Sequence, residues 1–474
     1  MPSTKPKRAS RSGGRKSKSG AASITNYTTG LKWLYGHTDN ERLRLVKYDD
    51  KSFSLDRMKQ LLKLLGNPQD GLKCVHVAGT KGKGSTCAMV ASMLQGCGYV
   101  VGSFSSPHLI DLRERITING DMIAYNECAD IFREIAKVED KLKDGPPTFF
   151  EIMTAAALKY FADQAVDIAV LETGLGGRLD CTNVVTPLVT AITSISMDHT
   201  HLLGDTLEAI AKEKAGIFKP NVPALTLKQE EGVAEVLTES ATQAGTLLET
   251  TGSEIDFSYR FEANKELGPH CRVCVNTETS KFDHFAVPLK GEHQAHNCAL
   301  ALAVLDKLKA HGFHFEEQAL IRGLAATELP GRMEFVHDKP RVLIDGAHNA
   351  ASIGALIKSL GAHVQYDSLV MVFGCAQDKD VKGMLEQVAL GADKIIFTRA
   401  KGNPRAVETS DLLKQFADVS GKMAQTADNL PDALKLASRA VSREDLIVVT
   451  GSFYLAGEAR KFFLDASGKA RPRR

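Results

Sequence analysis

Short, unbroken apolar runs alternate along this chain with segments whose apolar residues return every three or four positions. The first clear run, Cys74–Ala78, reads as a buried strand. After a glycine-rich loop, Met89, Val90, Met93 and Leu94 share one face of a helix that Gly96 and Gly98 can end. Further strands are expected at 99–104, Ile168–Glu172 and 188–195, with helices at 125–137 and 149–164 between them. Ile116-Thr-Ile118 runs into an Asn119-Gly120 turn. Upstream, 27–65 looks helical and loop-like, anchored by Tyr35, Leu43, Leu45, Met58, Leu61 and Leu62. Strands alternating with helices imply an α/β fold: a mainly parallel sheet with helices on both faces.

From about 222 to 288 the pattern turns to alternation, as in Cys271-Arg-Val-Cys-Val275, which predicts a small antiparallel addition. A helix over 293–308 follows, and Glu328-Leu-Pro-Gly331 marks a boundary. Beyond it strands at 341–345, 368–373, Lys394–Phe397 and Leu446–Thr450 alternate with helical segments, so a second α/β unit with its own core is expected. No internal repeat of fixed period is found. The implied organisation is a basic tail (1–24), a large domain (25–328), a smaller domain (329–466) and a second basic tail (467–474).

Charge sharpens this picture. Of 474 residues, seven of the first twenty and four of the last eight are basic, and neither stretch holds an acid. Setting those tails aside turns a net charge of +2 into −9, so the acidic body makes no general case for nucleic-acid binding. The N-terminal tail reads as a disordered, solubilising extension. No apolar run approaches the roughly 20 residues a membrane helix needs. The N-terminal stretch lacks a secretory core, and its amphipathic stripe is too poor for a mitochondrial presequence. Nine cysteines, odd in number and scattered through apolar segments, fit reduced thiols in the cytoplasm. Cys271-Arg-Val-Cys274 is a lone pair inside a strand pattern and reads as structural.

The candidate chemistry sits where apolar strands end. Gly79-Thr80-Lys81-Gly82-Lys83-Gly84-Ser85-Thr86 lies between a strand and a helix, the layout of a phosphate cradle. Its glycines admit backbone N–H groups, a lysine neutralises the anion, and a hydroxyl can hold Mg²⁺. It departs from the common P-loop, because Gly84 separates Lys83 from Ser85. Glu172 closes another strand before Gly174-Leu-Gly-Gly177, Arg178 and Asp180. His199 follows the next strand and so borders the same crevice. Lys212 and Lys214, in the last turn of a helix opened by Asp205-Thr-Leu-Glu208, read from position alone as complements of the helix dipole. In the second unit, Gly331-Arg332-Met-Glu334, Asp345-Gly-Ala-His348-Asn349 and Thr450-Gly-Ser452 bring polar groups to the same cleft.

Together with Ser106-Pro-His108-Leu109, Thr182-Asn183, Asp198-His199 through Gly204, Glu213-Lys-Ala-Gly216 and Asn403-Pro-Arg405, these stretches resemble the folylpolyglutamate synthase/dihydrofolate synthase family of the Mur ligase superfamily. The likeness spans roughly residues 30 to 460 in order. It implies a P-loop ATPase domain followed by a smaller Rossmann-like domain. It also implies an activity: ATP converts a substrate carboxylate to an acyl phosphate, and the α-amine of L-glutamate attacks it. Residues 79–86 and Lys83 would hold the triphosphate, with Asn297, Arg332 and Asp345 as further ATP contacts. Ser85, Glu172 and His199 would hold Mg²⁺, two ions in all. Lys214 would carry a CO₂ adduct, a carbamate, which reverses its positional reading. His348 and Ser452 match positions near the incoming glutamate. Ser106, His108, Arg178 and Asp180 would face dihydropteroate or folate. Lys83, His199 and Lys214 would form the catalytic set.

Two departures stand out: Lys81 where the family usually has Asn, and Ala350 where Pro is usual. Phe149-Phe-Glu-Ile-Met-Thr154 looks like the bacterial branch, where one protein commonly carries both activities. The family suggests a monomer. A peptidoglycan-precursor ligase is the rival within the superfamily. Against it stand Gly-Lys-Gly-Ser-Thr, in place of Gly-Lys-Thr-Thr or Gly-Lys-Thr-Ser, and the Ser-Pro-His-Leu segment. A nucleic-acid-associated ATPase recruited by the tails is a rival from another class.

Overall fold

The computed structural model describes residues 20–39, 54–265, 267–403 and 405–466. Both basic stretches as far as residue 19 and from residue 467, the expected anchors Leu43 and Leu45, and the proline of Asn403-Pro-Arg405 lie outside the described residues. Residues 20–24, grouped with the tail on composition, instead join the body. Gly20–Ser23 is a short helix, and Ala21 and Ile24 are buried.

Eight strands build the first sheet: β1 Cys74–Ala78, β2 Val101–Phe104, β3 Ile116–Ile118, β4 Asp121–Met122, β5 Ile168–Glu172, β6 Val189–Ile192, β7 Ala224–Leu227 and β8 Leu248–Thr251. Their order is β4-β3-β2-β5-β1-β6-β7-β8, parallel from β2 to β8 with an antiparallel hairpin at one edge. The central strands β1 and β5 are buried at every position, as strands covered on both faces must be. That is why they read as continuous apolar runs.

The antiparallel addition is smaller than alternation suggested. β9 Asp256–Asn264, β10 Gly268–Asn276 and β11 Lys281–Val287 form a separate three-stranded sheet. Residues 224–251 instead continue the parallel sheet through β7, the helix Glu231–Ala244 and β8. β7 is buried throughout, the mark of an interior parallel strand.

The third sheet contains β12 Glu334–Asp338, β13 Arg341–Ile344, β14 Leu369–Phe373, β15 Lys394–Phe397, β16 Ala424–Thr426 and β17 Leu446–Thr450, in the order β12-β13-β17-β14-β15-β16. Its antiparallel edge β12 and short β16 have mixed exposure and gave no apolar run. Each parallel sheet has separate apolar clusters on its two faces, built around Met89 and Leu300 or Phe132 and Ile152 in the first, and Phe373 and Leu385 or Val449 and Leu434 in the third.

The first helix after the glycine loop runs Lys83–Gly96, so its opening turn is Lys83 to Thr86. Apolar periodicity starts only at Cys87, because the first turn consists of Lys83, Gly84, Ser85 and Thr86, none of them apolar, although Ser85 and Thr86 are buried. Further along, Gly96 packs on Gly323 so closely that a Cβ would sit 2.6 Å from the Gly323 Cα. No helix among the described residues is long and apolar enough to cross a membrane.

Candidate functional site

The carboxyl ends of both parallel sheets line one cleft of about 2760 Å³. Thr80 to Ser85, Ser106, His108, Glu172, Asp180, His199 and Asn297 contribute from the first unit, and Arg332, Asp345, His348 and Ser452 from the second. Gly79, Thr86, Arg178 and Lys214 do not reach its surface.

The glycine loop is held tightly. Gly79 has φ +146°, and a Cβ there would lie 1.8 Å from Thr193 Oγ1. A Cβ on Gly82, φ +92°, would lie 2.4 Å from Asn297 Oδ1, so the helix Glu292–Leu308 presses its amide against the loop. Thr80 donates from its backbone to the Ser194 carbonyl at 2.9 Å and from its hydroxyl to the Ser196 carbonyl at 3.1 Å. Lys83 Nζ donates to the Gly79 carbonyl at 3.1 Å and stands at a helix N-terminus, where backbone N–H groups and the helix dipole both favour an anion. Lys81 lines the same wall and adds a cation that asparagine would not.

Glu172, buried, accepts the Ser106 N–H at 3.2 Å. Burial pushes its carboxyl up, opposed by Lys83, the Ser106 N–H, Arg332 and Arg115. Its oxygens lie 3.6 and 3.7 Å from where a Cβ on Gly84 would be, beside the start of the helix carrying Ser85. A hydroxyl and one carboxylate, open to phosphate oxygens and water, suit Mg²⁺, which keeps much of its hydration. Among the described residues no three His, Cys, Asp or Glu side chains group as a metal site, so the protein alone supplies only part of such a shell. His199 adopts φ +51° just before the short helix Thr200–Leu203, with Asp198 3.9 Å away. The cleft walls, then Lys379, Lys83 and Lys214, hold its imidazole below the usual range against the pull of Asp198.

Lys214 overturns its positional reading. Its ε-amine is buried beneath the glycine loop and donates to the Gly79 carbonyl at 2.7 Å, away from its own helix end. Burial, reinforced by Lys83, lowers its pKa to about 7 against Asp198 and Asp180. A lysine substantially neutral near pH 7 can react with CO₂.

Two of the expected substrate contacts have other partners. Arg178 pairs with Glu213 at 3.0 Å, largely at the surface. Asp180 accepts the N–H groups of Gly174 and Leu175 at 2.9 and 2.8 Å and also holds Thr182, so it shapes the glycine turn after β5. Ser106 and His108 do face the cleft, on a loop clamped by Glu114, whose carboxylate accepts N–H groups from Leu109, Ile110 and Asp111. His108 Nδ1 accepts from Arg115 Nε at 2.9 Å, and the guanidinium of the buried Arg115 lies 5.2 Å from the Phe149 ring. Sequence reasoning missed Glu114 and Arg115; the only signal was the capping spacing of Asp111 and Glu114.

Across the cleft, Asp345 accepts the Met333 and Ala347 N–H groups at 2.9 and 2.8 Å. Burial raises its carboxyl pKa, and Arg332, stacked 4.7 Å from the Phe453 ring, opposes that. His348 Nδ1 lies 2.9 Å from the Gly346 carbonyl, so that nitrogen carries the proton and Nε2 keeps its lone pair. Burial lowers its pKa to about 4, leaving the ring neutral near pH 7. Ser452 Oγ accepts the Leu455 N–H at 3.2 Å and still has its own proton to donate. Arg405, quoted above only within a motif, also lines the cleft and pairs with Asp378 at 3.3 Å.

Comparison with known proteins agrees with the fold that carries these residues. Residues 77–305 match the Mur ligase middle domain, and residues 331–453 match the Mur ligase, glutamate ligase domain. The chain is 35% identical over 445 residues to the dihydrofolate synthase/folylpolyglutamate synthase of Bacillus subtilis (strain 168), covering 92% of this chain and 99% of that one. Mycobacterium tuberculosis folylpolyglutamate synthase complexed with ADP and AMPPCP superposes with a TM-score of 0.80 at 35% identity, over 89% of this chain and 96% of that one. For E. coli FolC in complex with DHPP and ADP the TM-score is 0.79 at 30% identity, over 94% and 99%.

Proposed function

The chain belongs to the folylpolyglutamate synthase/dihydrofolate synthase family of Mur ligases, and from that premise we propose that it joins L-glutamate to dihydropteroate, to folate (poly)glutamates, or to both, at the expense of ATP. The observation that carries this reading is the single cleft. In it a phosphate-binding loop, the Ser106–His108 loop and the loop from Asp345 to His348 face one another.

In the first step a substrate carboxylate oxygen bonds to the γ-phosphorus of ATP, the bond to the bridging oxygen breaks, and ADP leaves. Lys83 and the loop N–H groups offset the charge of the triphosphate, where positioning and neutralisation do most of the work. Asn297, Arg332 and Asp345 hold the nucleotide from both walls. Mg²⁺ held by Ser85 and Glu172 would supply further neutralisation at the transferred phosphoryl group. His199 and a carbamate on Lys214 are the groups available to a second ion.

In the second step the α-amine of glutamate attacks the acyl carbon, and inorganic phosphate and a proton depart. The neutral Nε2 of His348 can accept an N–H of that amine, and Ser452 can donate to a glutamate carboxylate. An acyl phosphate is lost to water unless the walls close over it. The reading places the enzyme in the cytoplasm, which nine free thiols suit, and takes it as a monomer on the family's example.

The test is a product assay with ATP, Mg²⁺ and L-glutamate, supplying dihydropteroate or tetrahydrofolate in turn. A glutamylated product from one or both is expected. ATP turnover yielding neither product would overturn the proposal.

A further inference from the structure

Two helices that both line the cleft meet between its walls. One, Ala350–His363, starts directly after His348 and Asn349, and the other, Glu292–Leu308, carries Asn297 to the glycine loop. They meet at His363, the last residue of the first helix, and Gly291, the residue before the second. The Gly291 N–H donates to His363 Nε2 at 3.1 Å, and His363 Nδ1 lies 3.3 Å from the Pro269 carbonyl. One neutral imidazole satisfies both bonds, accepting at Nε2 and donating at Nδ1. His363 is buried, and the Phe261 ring meets its edge at 5.2 Å.

The joint leaves no slack. Gly291 has φ +111°, and a Cβ there would lie 2.6 Å from His293 Cε1 and 3.0 Å from Ser359 Oγ, one turn before His363. The nearby Lys358–Glu292 pair, 3.0 Å apart and exposed, adds little. Any shift of Gly291 moves the start of the helix whose Asn297 touches the loop at Gly82.

The geometry points to His363 as a positioning residue that sets the distance between the two nucleotide-binding walls, by clasping Gly291 and Pro269 of the first unit from the second. It touches no substrate. The inference rests on the ligase reading only in naming the nucleotide as the ligand that spans the walls. His363→Leu removes both bonds at similar volume, whereas His363→Gln retains an acceptor for Gly291.

ADP affinity is measured by calorimetry on the full chain, with KM for ATP and kcat from the product assay. For His363→Leu, an ADP Kd and an ATP KM about tenfold higher are expected, with kcat within about twofold of the parent. His363→Gln should recover most of the affinity. A merely structural role would lower the unfolding temperature and the active fraction while leaving Kd and KM unchanged, and that result overturns the assignment. Should the leucine variant not fold, hydrogen exchange on the unaltered protein decides: residues 289–297 should slow when ADP binds, and unchanged exchange overturns it. ADP binding needs neither glutamate nor folate. A protein that binds ADP but makes no glutamylated product therefore fails the ligase reading while still testing the clasp.

Discussion

Lys214 and Gly79, 135 residues apart in sequence, meet at 2.7 Å, with the ε-amine of one donating to the backbone carbonyl of the other. A buried amine beneath a phosphate loop is costly to the fold, and the same burial lowers its pKa to about 7. Between pH 7 and the ordinary lysine value of 10.5, the folded protein binds fewer protons here than the unfolded chain. Stability from this group therefore rises with pH across that window, and the penalty is full below it. Lys214→Met should stabilise the protein by about 1–3 kcal/mol at pH 7 in CO₂-free buffer, less at pH 9, while ligation is lost. The Gly79 carbonyl keeps its bond from Lys83. Urea unfolding at the two pH values checks this, and an unchanged difference between them would refute it.

Carbamylation gives Lys214 a second, separable test. Arginine keeps the positive charge but cannot form the lysine carbamate. Lys214→Arg should therefore be inactive while still binding ATP, as read by the product assay beside nucleotide calorimetry. An active arginine variant would sink the carbamate.

Lys83 occupies the first position of its helix and makes one side-chain bond, to Gly79. Lys83→Ala should leave the circular dichroism spectrum and melting temperature near those of the parent. Ligation should fall by a hundredfold or more, about 3 kcal/mol or above in the transition state. Near-parental turnover in a folded variant would remove this lysine from the phosphate site.

Arg178, an expected substrate contact, lies off the cleft surface. Its guanidinium pairs with Glu213 at 3.0 Å, and its side chain is 45% exposed. Arg178→Ala should cost about 0–1 kcal/mol in stability and leave the KM for the folate substrate within about twofold. A tenfold rise in that KM would restore the substrate contact.

What the sequence made legible follows from what apolar spacing records. β1, β5 and β17 are buried at every position and stand out as continuous runs, each ending in the glycine or polar turn that lines the cleft. The opening turn of the helix Lys83–Gly96 leaves no mark because its residues, Lys, Gly, Ser and Thr, carry no apolar period. β7 and β8 lie beside the antiparallel strands in sequence, and only their pairing, with β6 and with each other, sets them in the parallel sheet. Lys214 was ambiguous in principle, since a basic residue in a last turn suits the dipole wherever its amine points. Only the contact with Gly79 separates the two readings. Glu114 and Arg115 sit in a single turn of 3₁₀ helix, too short for any periodicity to show.

Glu172 supplies the sharpest test of the metal assignment. Glutamine at this position keeps the shape and an oxygen for the Ser106 N–H, which the native carboxylate accepts at 3.2 Å. It loses the charge that faces Lys83, Arg332 and Arg115. A carboxylate that serves only to hold the Ser106 loop would be replaced almost without effect. One that also ligates Mg²⁺ would not, because a neutral amide is a much weaker partner for a hard dication. Glu172→Gln should therefore fold normally and bind ADP in EDTA with parental affinity. In the product assay its Mg²⁺ requirement should move upward by about tenfold or more, and kcat should fall by about a hundredfold. The two roles are told apart by titrating activity with Mg²⁺ at saturating ATP. An unchanged midpoint with a modestly lower plateau would leave Glu172 as a loop anchor, and the divalent ion would then have to be held elsewhere.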